Sequence, residues 1–253
     1  MRQAVTNELP LAAPDSAPTT PGLDQVAVRL EAVTRVYAHD GITVRALAGI
    51  DLEVRKGDFA VVVGPSGSGK TTLLNLIGGL DTPTSGRIWV GDKEISGMSR
   101  SALSRLRLHQ IGFVFQEFNL IPVLSAVENV EFVMLLQGVR AAERRARSLA
   151  LLNLLGLAGL EHRRPNELSG GQQQRVAVAR AIAAEPVIVL PDEPTANLDS
   201  KAGAELMDVM RRINKERAAT FLFSTHDPMV MERATRVIRL RDGRIEADER
   251  RGQ

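Results

Sequence analysis

The stretch Gly64-Pro65-Ser66-Gly67-Ser68-Gly69-Lys70-Thr71 decides how this chain is read. It directly follows the apolar run Phe59 to Val63 and leads into Thr72 to Ile77, which has a helical pattern. Strand, glycine-rich turn and helix, in that order, bring backbone N–H groups together around a phosphate. The glycines allow the turn, the helix start adds its positive end, Lys70 reaches the terminal phosphates and Thr71 offers a hydroxyl to Mg²⁺. Gly64, Pro65, Ser66, Gly67, Ser68, Gly69, Lys70, Thr71 and Thr72 are the expected phosphate-binding residues. Alone, the loop implies only a nucleoside triphosphate, because kinases, GTPases and motor ATPases share it.

Outward from the loop, short continuous apolar runs alternate with helical stretches, the pattern of strands buried on both faces of a parallel sheet. That is α/β architecture. Upstream, Val26, Val28 and Leu30 alternate with Arg29 and Glu31, and Ile50, Leu52 and Val54 with Asp51, Glu53 and Arg55. Both read as antiparallel strands with one wet face. Residues from about 98 to 165 read mostly helical, with Arg140, Arg144, Arg145 and Arg147 as a solvated face between apolar Leu149, Leu152 and Leu155. Further on come a helix after Gly170, a strand at Val187 to Leu190, a helix near Ala202 to Glu216 and a strand at Thr220 to Ser224. Asp242-Gly243 signals a closing hairpin.

Composition narrows the classes. The 253 residues suit one large domain or two small ones, and 25% charged with 44% hydrophobic residues is ordinary for a globular chain. Thirty-two basic against 30 acidic residues leave a formal charge of +2, which argues against a nucleic-acid partner. With no cysteine, disulfides, thiolate metal sites and cysteine nucleophiles are excluded. No run approaches the roughly 18 apolar residues of a membrane span, so the chain is not expected to cross a membrane alone. The N-terminus lacks a signal-peptide pattern, so the cytoplasm is the expected compartment. Residues 1–24 hold four of the twelve prolines and read as an extended or disordered tail before a folded unit of 25–253.

Two further signals bear on the chemistry. Val187 to Glu193 places Asp192 and Glu193 just past the carboxyl end of a buried strand, where ligands sit in α/β sheets. There Asp192 suits a Mg²⁺ shell and Glu193 suits polarising a water, although paired acids after a strand are often only a turn. Leu168-Ser169-Gly170-Gly171-Gln172 reads as an N-cap with exposed backbone N–H groups, a second anion-binding surface in the same chain. One nucleotide needs only one such surface. The spare makes sense if two copies face each other head to tail.

With these motifs the chain resembles the nucleotide-binding subunits of ATP-binding-cassette transporters, from about Val26 to Glu246. The resemblance implies a P-loop NTPase core of RecA-like type, with an antiparallel β subdomain and an inserted helical subdomain at about 98–165. It implies ATP hydrolysis with Mg²⁺, an ATP-bound homodimer and membrane permease partners at the cytoplasmic face of the inner membrane. Residue by residue, it matches Gly64 to Thr71 to the Walker A loop, Ser169, Gly170, Gly171 and Gln172 to the signature, and Asp192 and Glu193 to the Walker B acid and catalytic base. Gln116 matches the glutamine that senses Mg²⁺ and the membrane partner, Asn197-Leu198-Asp199 the loop across the dimer interface, His226 the switch histidine and Tyr37 the adenine-stacking aromatic. Lys70, Glu193 and His226 are thus the expected catalytic residues, and Thr71, Gln116 and Asp192 the expected metal site. Pro191 departs from the family, which has Ala or Gly there.

The segments IGFVFQEFNLIP (111–122), Glu128-Asn129-Val130 and LIGGLD (76–81) resemble the lipoprotein-releasing and macrolide-export clade. A regulatory clamp on a membrane signalling or cell-division complex is the alternative. Soluble roles in translation or DNA repair fit less well, since those relatives carry two cassettes or long coiled-coil insertions. His39, His109 and His162 lack ligand spacing and read as surface residues, and Met207 and Met210 read as core.

Overall fold

The computed structural model describes residues 25–39 and 42–251. The expected tail at 1–24 lies outside them. Strand β1 (Val26–His39) pairs antiparallel with β2 (Ile42–Arg55), with Val28 opposite Val54, Leu30 opposite Leu52 and Val33 opposite Ile50. Those six side chains are buried, as the alternation requires. The next strand, β3 (Phe59–Val63), enters a second sheet, while β4 (Ser85–Val90) and the two-residue β5 (Lys93–Glu94) extend the first in the order β2-β1-β4-β5. The sequence does not announce β4, because Ser85-Gly86-Arg87 hides its alternation.

The second sheet adds β6 (Ile111–Val114), β7 (Ile188–Pro191), β8 (Phe221–Ser224), β9 (Arg236–Arg241) and β10 (Arg244–Arg250), in the order β10-β9-β3-β8-β7-β6. Strands β6, β7, β8, β3 and β9 are parallel, and β10 closes the edge as a hairpin. Alternate residues of β3 feed different cores. Phe59, Val61 and Val63 face the helical side, whereas Ala60 and Val62 face helix α1 (Lys70–Ile77) and the antiparallel sheet. This explains the unbroken apolar run. The rings of Phe59 and Phe223 meet edge to face at 4.7 Å, and each fully buried Phe contributes roughly 1.5–3 kcal/mol. Met207 and Met210 are fully buried in the same core.

Helices α2 (Arg100–Gln110), α3 (Ala126–Leu136) and α4 (Ala141–Leu154) carry the stretch that reads as mostly helical, and the strand-like segment from Ile111 forms β6, which joins the main sheet. On α4, Leu152 and the following Leu155 are buried, whereas Leu149 is exposed, contrary to the expected apolar stripe. Arg144 and Arg145 pair with Glu131, and Arg147 with Glu143 and Glu185. Helices α5 (Gly170–Ala183), α6 (Ser200–Arg217) and α7 (Pro228–Arg233) follow the motif-bearing loops, capped by Ser169, Asp199 and Asp227. His109 and His162 are exposed.

Pro191 leaves a mark on the sheet. Strands β7 and β8 pair at Val189 and Phe221, and again at Asp192 and Ser224, in one register. Between them Pro191, without an N–H, faces β8. The ladder resumes through Glu193 N, which donates to Ser224 O at 2.8 Å.

Candidate nucleotide-binding site

Gly69 precedes α1 with φ of 105°, a left-handed conformation that glycine adopts without strain. A Cβ there would lie 2.5 Å from the Ala46 carbonyl oxygen and 2.9 Å from Leu47 Cδ2. Position 69 is thus closed to any side chain. Helix α1 has no side-chain cap, so its first N–H groups remain available to an anion. The Lys70 ammonium donates to the carbonyls of Gly64 at 2.8 Å and Pro65 at 3.0 Å, folded over its own loop. The Ser68 hydroxyl is buried with no partner inside the same turn. Free helix donors, an ammonium and an unpartnered hydroxyl are what a polyphosphate would satisfy.

A cavity of about 650 Å³ lies over this loop, lined by Val44, Arg45, Ala46, most of the loop residues 64–71, Thr72, Gln116, Glu193 and His226. Five separate parts of the sequence therefore meet at one place. Asp192 sits beneath it, half-buried, with Thr71 Oγ1 donating to its Oδ1 at 3.5 Å. Burial pushes the Asp192 carboxyl above its ordinary range, and the neighbouring Glu193 charge pushes the same way. One carboxylate, one hydroxyl and an amide oxygen form a hard-oxygen set short of a full cage. That fits Mg²⁺, which is usually held by one or two carboxylates together with substrate phosphates.

Glu193 has a left-handed φ of 47° and both carboxylate oxygens occupied. Oε1 lies 2.8 Å from His226 Nδ1, and Oε2 accepts from Thr225 Oγ1 at 2.9 Å. Thr225 is fully buried, and its hydroxyl also accepts from Asp227 N at 3.0 Å. Thr225 was not among the expected site residues. Its only sequence signal is its place between an apolar strand and His226.

Gln116 is exposed, and its carbonyl accepts from Asn197 Nδ2 at 3.0 Å, joining it to the loop that ends at Asp199. Asp199 accepts from Ala202 N and caps α6. Tyr37 does not line the cavity. Its hydroxyl donates to Asp81 at 2.8 Å and Arg35 lies over its ring, while its cross-strand partner Val44 is exposed at the cavity wall.

Ser169, Gly170, Gly171 and Gln172 line a separate concavity of about 330 Å³, shared with Asn197, Leu198, Asp199 and Arg175. Ser169 Oγ accepts from Gln172 N, and Gln172 Oε1 accepts from Ser169 N, a reciprocal capping box. Within the described residues of one chain, the expected site is therefore divided between two openings.

Residues 47–196 match the family model described as ABC transporter. The chain belongs to that family. Like other ABC ATP-binding cassettes, it binds and hydrolyses ATP. It is 46% identical over 222 residues to the lipoprotein-releasing system ATP-binding protein LolD of Anaeromyxobacter dehalogenans, covering 87% of this chain and 93% of that one. It is 45% identical over 221 residues to the macrolide export ATP-binding/permease protein MacB of Brucella melitensis, covering 87% of this chain but 34% of that one. Among solved structures, the ABC cassette MJ0796 of Methanocaldococcus jannaschii, described as a dimeric post-hydrolysis state bound to ADP and Pi, superposes with a TM-score of 0.81 at 42% identity. That match covers 89% of this chain and all of that one. The ABC cassette architecture of a P-loop core with antiparallel and helical parts is the one described above.

Proposed function

We propose that two copies of this ABC ATPase close around two Mg-ATP molecules and drive a membrane permease that exports or extracts a substrate. The observation that carries the dimer is the split site: a phosphate loop in one concavity and a free, capped helix start in another. Head-to-tail pairing would bring Ser169, Gly170, Gly171 and Gln172 of one copy onto the nucleotide held at Lys70 of the other. The dimeric relative bound to ADP and Pi supports this arrangement. Tyr37 is assigned to the adenine, across the cavity wall from Val44.

Lys70 would leave its loop carbonyls for the terminal phosphates, with Ser68 and the first N–H groups of α1 completing the cradle. Thr71, Asp192 and Gln116 would hold Mg²⁺, which when bound supplies positive charge against the phosphate oxygens. Glu193, released in part from Thr225 and His226, would accept the proton of the attacking water, and His226 would fix its orientation. The helical subdomain at about 98–165 and the Gln116 segment would pass closure to the permease. An apolar cleft of about 530 Å³ beside that segment, lined by Leu80, Leu108, Phe113, Phe115, Val133 and Leu136, supports docking of a protein partner. No helix among the described residues is long and apolar enough to cross a membrane, so that partner would anchor the cassette peripherally, at the cytoplasmic face of the inner membrane. Relatives named for lipoprotein release and macrolide export support export or extraction.

Glu193→Gln tests the catalytic assignment. Nucleotide affinity should stay within about twofold, while phosphate release falls by about 10²-fold or more. Near-normal turnover would overturn it.

A further inference from the structure

Gln174, on α5, is fully buried and lies five residues beyond Ser169. Its side-chain amide nitrogen donates to two backbone carbonyls from distant parts of the chain: Pro194 O at 2.8 Å and Phe115 O at 3.3 Å. Pro194 directly follows Glu193, and Phe115 directly precedes Gln116. One amide therefore ties the signature helix to the loop of the proposed base and to the loop of the proposed metal and partner sensor. Its oxygen Oε1 is buried without a partner. A buried acceptor left open calls for an explanation, and an element with two arrangements provides one.

The Gln116 loop is also held in a second way. Phe118 and Asn119 both have positive φ, and Arg180, six residues further along α5, donates to the Phe118 carbonyl at 2.9 Å and also to the Asn119 carbonyl. Helix α5 packs against both α3 of the helical part and β6 of the sheet. A shift of α5 relative to the sheet must therefore move Phe115 and Pro194 together or break one of the two Gln174 bonds.

We infer that Gln174 is a positioning residue: a strap that transmits displacement of the Gln116 segment and α5 to the loop that presents Glu193. It touches neither nucleotide nor metal. The inference rests on the roles proposed above for Gln116 and Glu193. With Mg-ATP bound and the cassette closed, one donor bond lengthens and Oε1 gains a donor, so the strap has an open and a closed setting.

Steady-state ATPase assays and nucleotide titrations of Gln174→Met, Gln116→Ala and the double variant test the strap. Gln174→Met, similar in shape but without donors, should lower kcat by about tenfold to a hundredfold and leave ATP affinity within about twofold, as for other groups that only position a reacting side chain. In the double variant the two losses should not multiply, because Gln116→Ala already removes what the strap transmits. A kcat within twofold of wild type, or losses that multiply, would overturn the inference. Should Gln174→Met fail to fold, the unmodified protein supplies the test: the Gln174 side-chain amide resonances should shift between the nucleotide-free and Mg-ATP states. Unchanged resonances would overturn it. Glu193→Gln measured alongside keeps the two readings apart, since its residual turnover judges the catalytic assignment and the cycle judges the strap.

Discussion

The two anion-accepting openings of this chain are built differently. At the Lys70 opening, the donors converge on one turn: an uncapped helix start, a buried Ser68 hydroxyl without a partner and an ammonium held only by carbonyls of its own loop. At the Ser169 opening, the hydroxyl and the Gln172 amide are engaged in capping their own helix. The first is a ready cradle. The second has its capping groups already engaged, and under the proposed pairing its ligand is the nucleotide held by the other copy. The contrast teaches that the helix-start motif can serve as a primary site or as half of a shared one, depending on whether the loop before it can also enclose the phosphate.

The strongest way to break this comparison is Lys70→Ala, which should lower both nucleotide affinity and turnover, the latter by about 10²–10³-fold, the scale of one lost charge-stabilising donor. Calorimetric titration and phosphate release measure both; affinity within twofold of wild type would show the cradle does not depend on Lys70. Ser169→Arg sharpens the contrast, because it should abolish turnover while leaving the affinity of an isolated chain nearly unchanged. Mixing Ser169→Arg with Lys70→Ala should recover part of the activity, since a mixed dimer carries up to one intact composite site. A flat rate against mixing ratio, together with monomeric light scattering of Glu193→Gln at saturating Mg-ATP, would return both openings to a single chain.

A smaller effect is expected at Thr225. Thr225→Val keeps the shape and removes the donor to Glu193 Oε2, and should lower kcat about tenfold with unchanged nucleotide affinity. Wild-type kcat would show that His226 alone sets the carboxylate. The smallest effect is expected for Pro191→Ala. A restored strand hydrogen bond contributes about 0.5–1.5 kcal/mol, while loss of the proline stiffness in the unfolded chain removes about 0.4–1 kcal/mol. These nearly cancel, so the melting temperature should move by less than about 5 °C, and turnover should be unchanged or higher. A large fall in turnover would mean that the interrupted ladder itself presents Asp192 and Glu193.

Much of this was legible because the informative residues are local. The phosphate loop, the Ser169 cap and the Asp242-Gly243 turn each depend on neighbours within a few positions, and glycine or capping chemistry marks them directly. The alternation of Val28, Leu30, Leu52 and Val54 likewise marks the residues that these strands bury. Thr225 and Gln174 were not legible, because what matters about them is which distant carboxylate or carbonyl they reach. The exposure of Leu149 escaped for the same reason: periodicity marks an apolar position but not whether a neighbouring element covers it. Tyr37 is expected at the adenine by resemblance alone, and its hydroxyl is held by Asp81, a contact no local pattern encodes.

The closing hairpin also bears on how the chain is made. Asp242 and Gly243 both have positive φ, as a two-residue hairpin turn of this hand requires. Gly243 N donates to Ser68 O at 3.1 Å, and Ala48 N donates to Gly243 O at 2.8 Å. The turn thereby fastens the phosphate loop to the antiparallel sheet. During vectorial synthesis at roughly 5–20 residues per second, Ser68 emerges on the order of 10–35 s before Gly243. Throughout that interval the nascent phosphate loop lacks the backbone hydrogen bond that ties it through Gly243 to the antiparallel sheet.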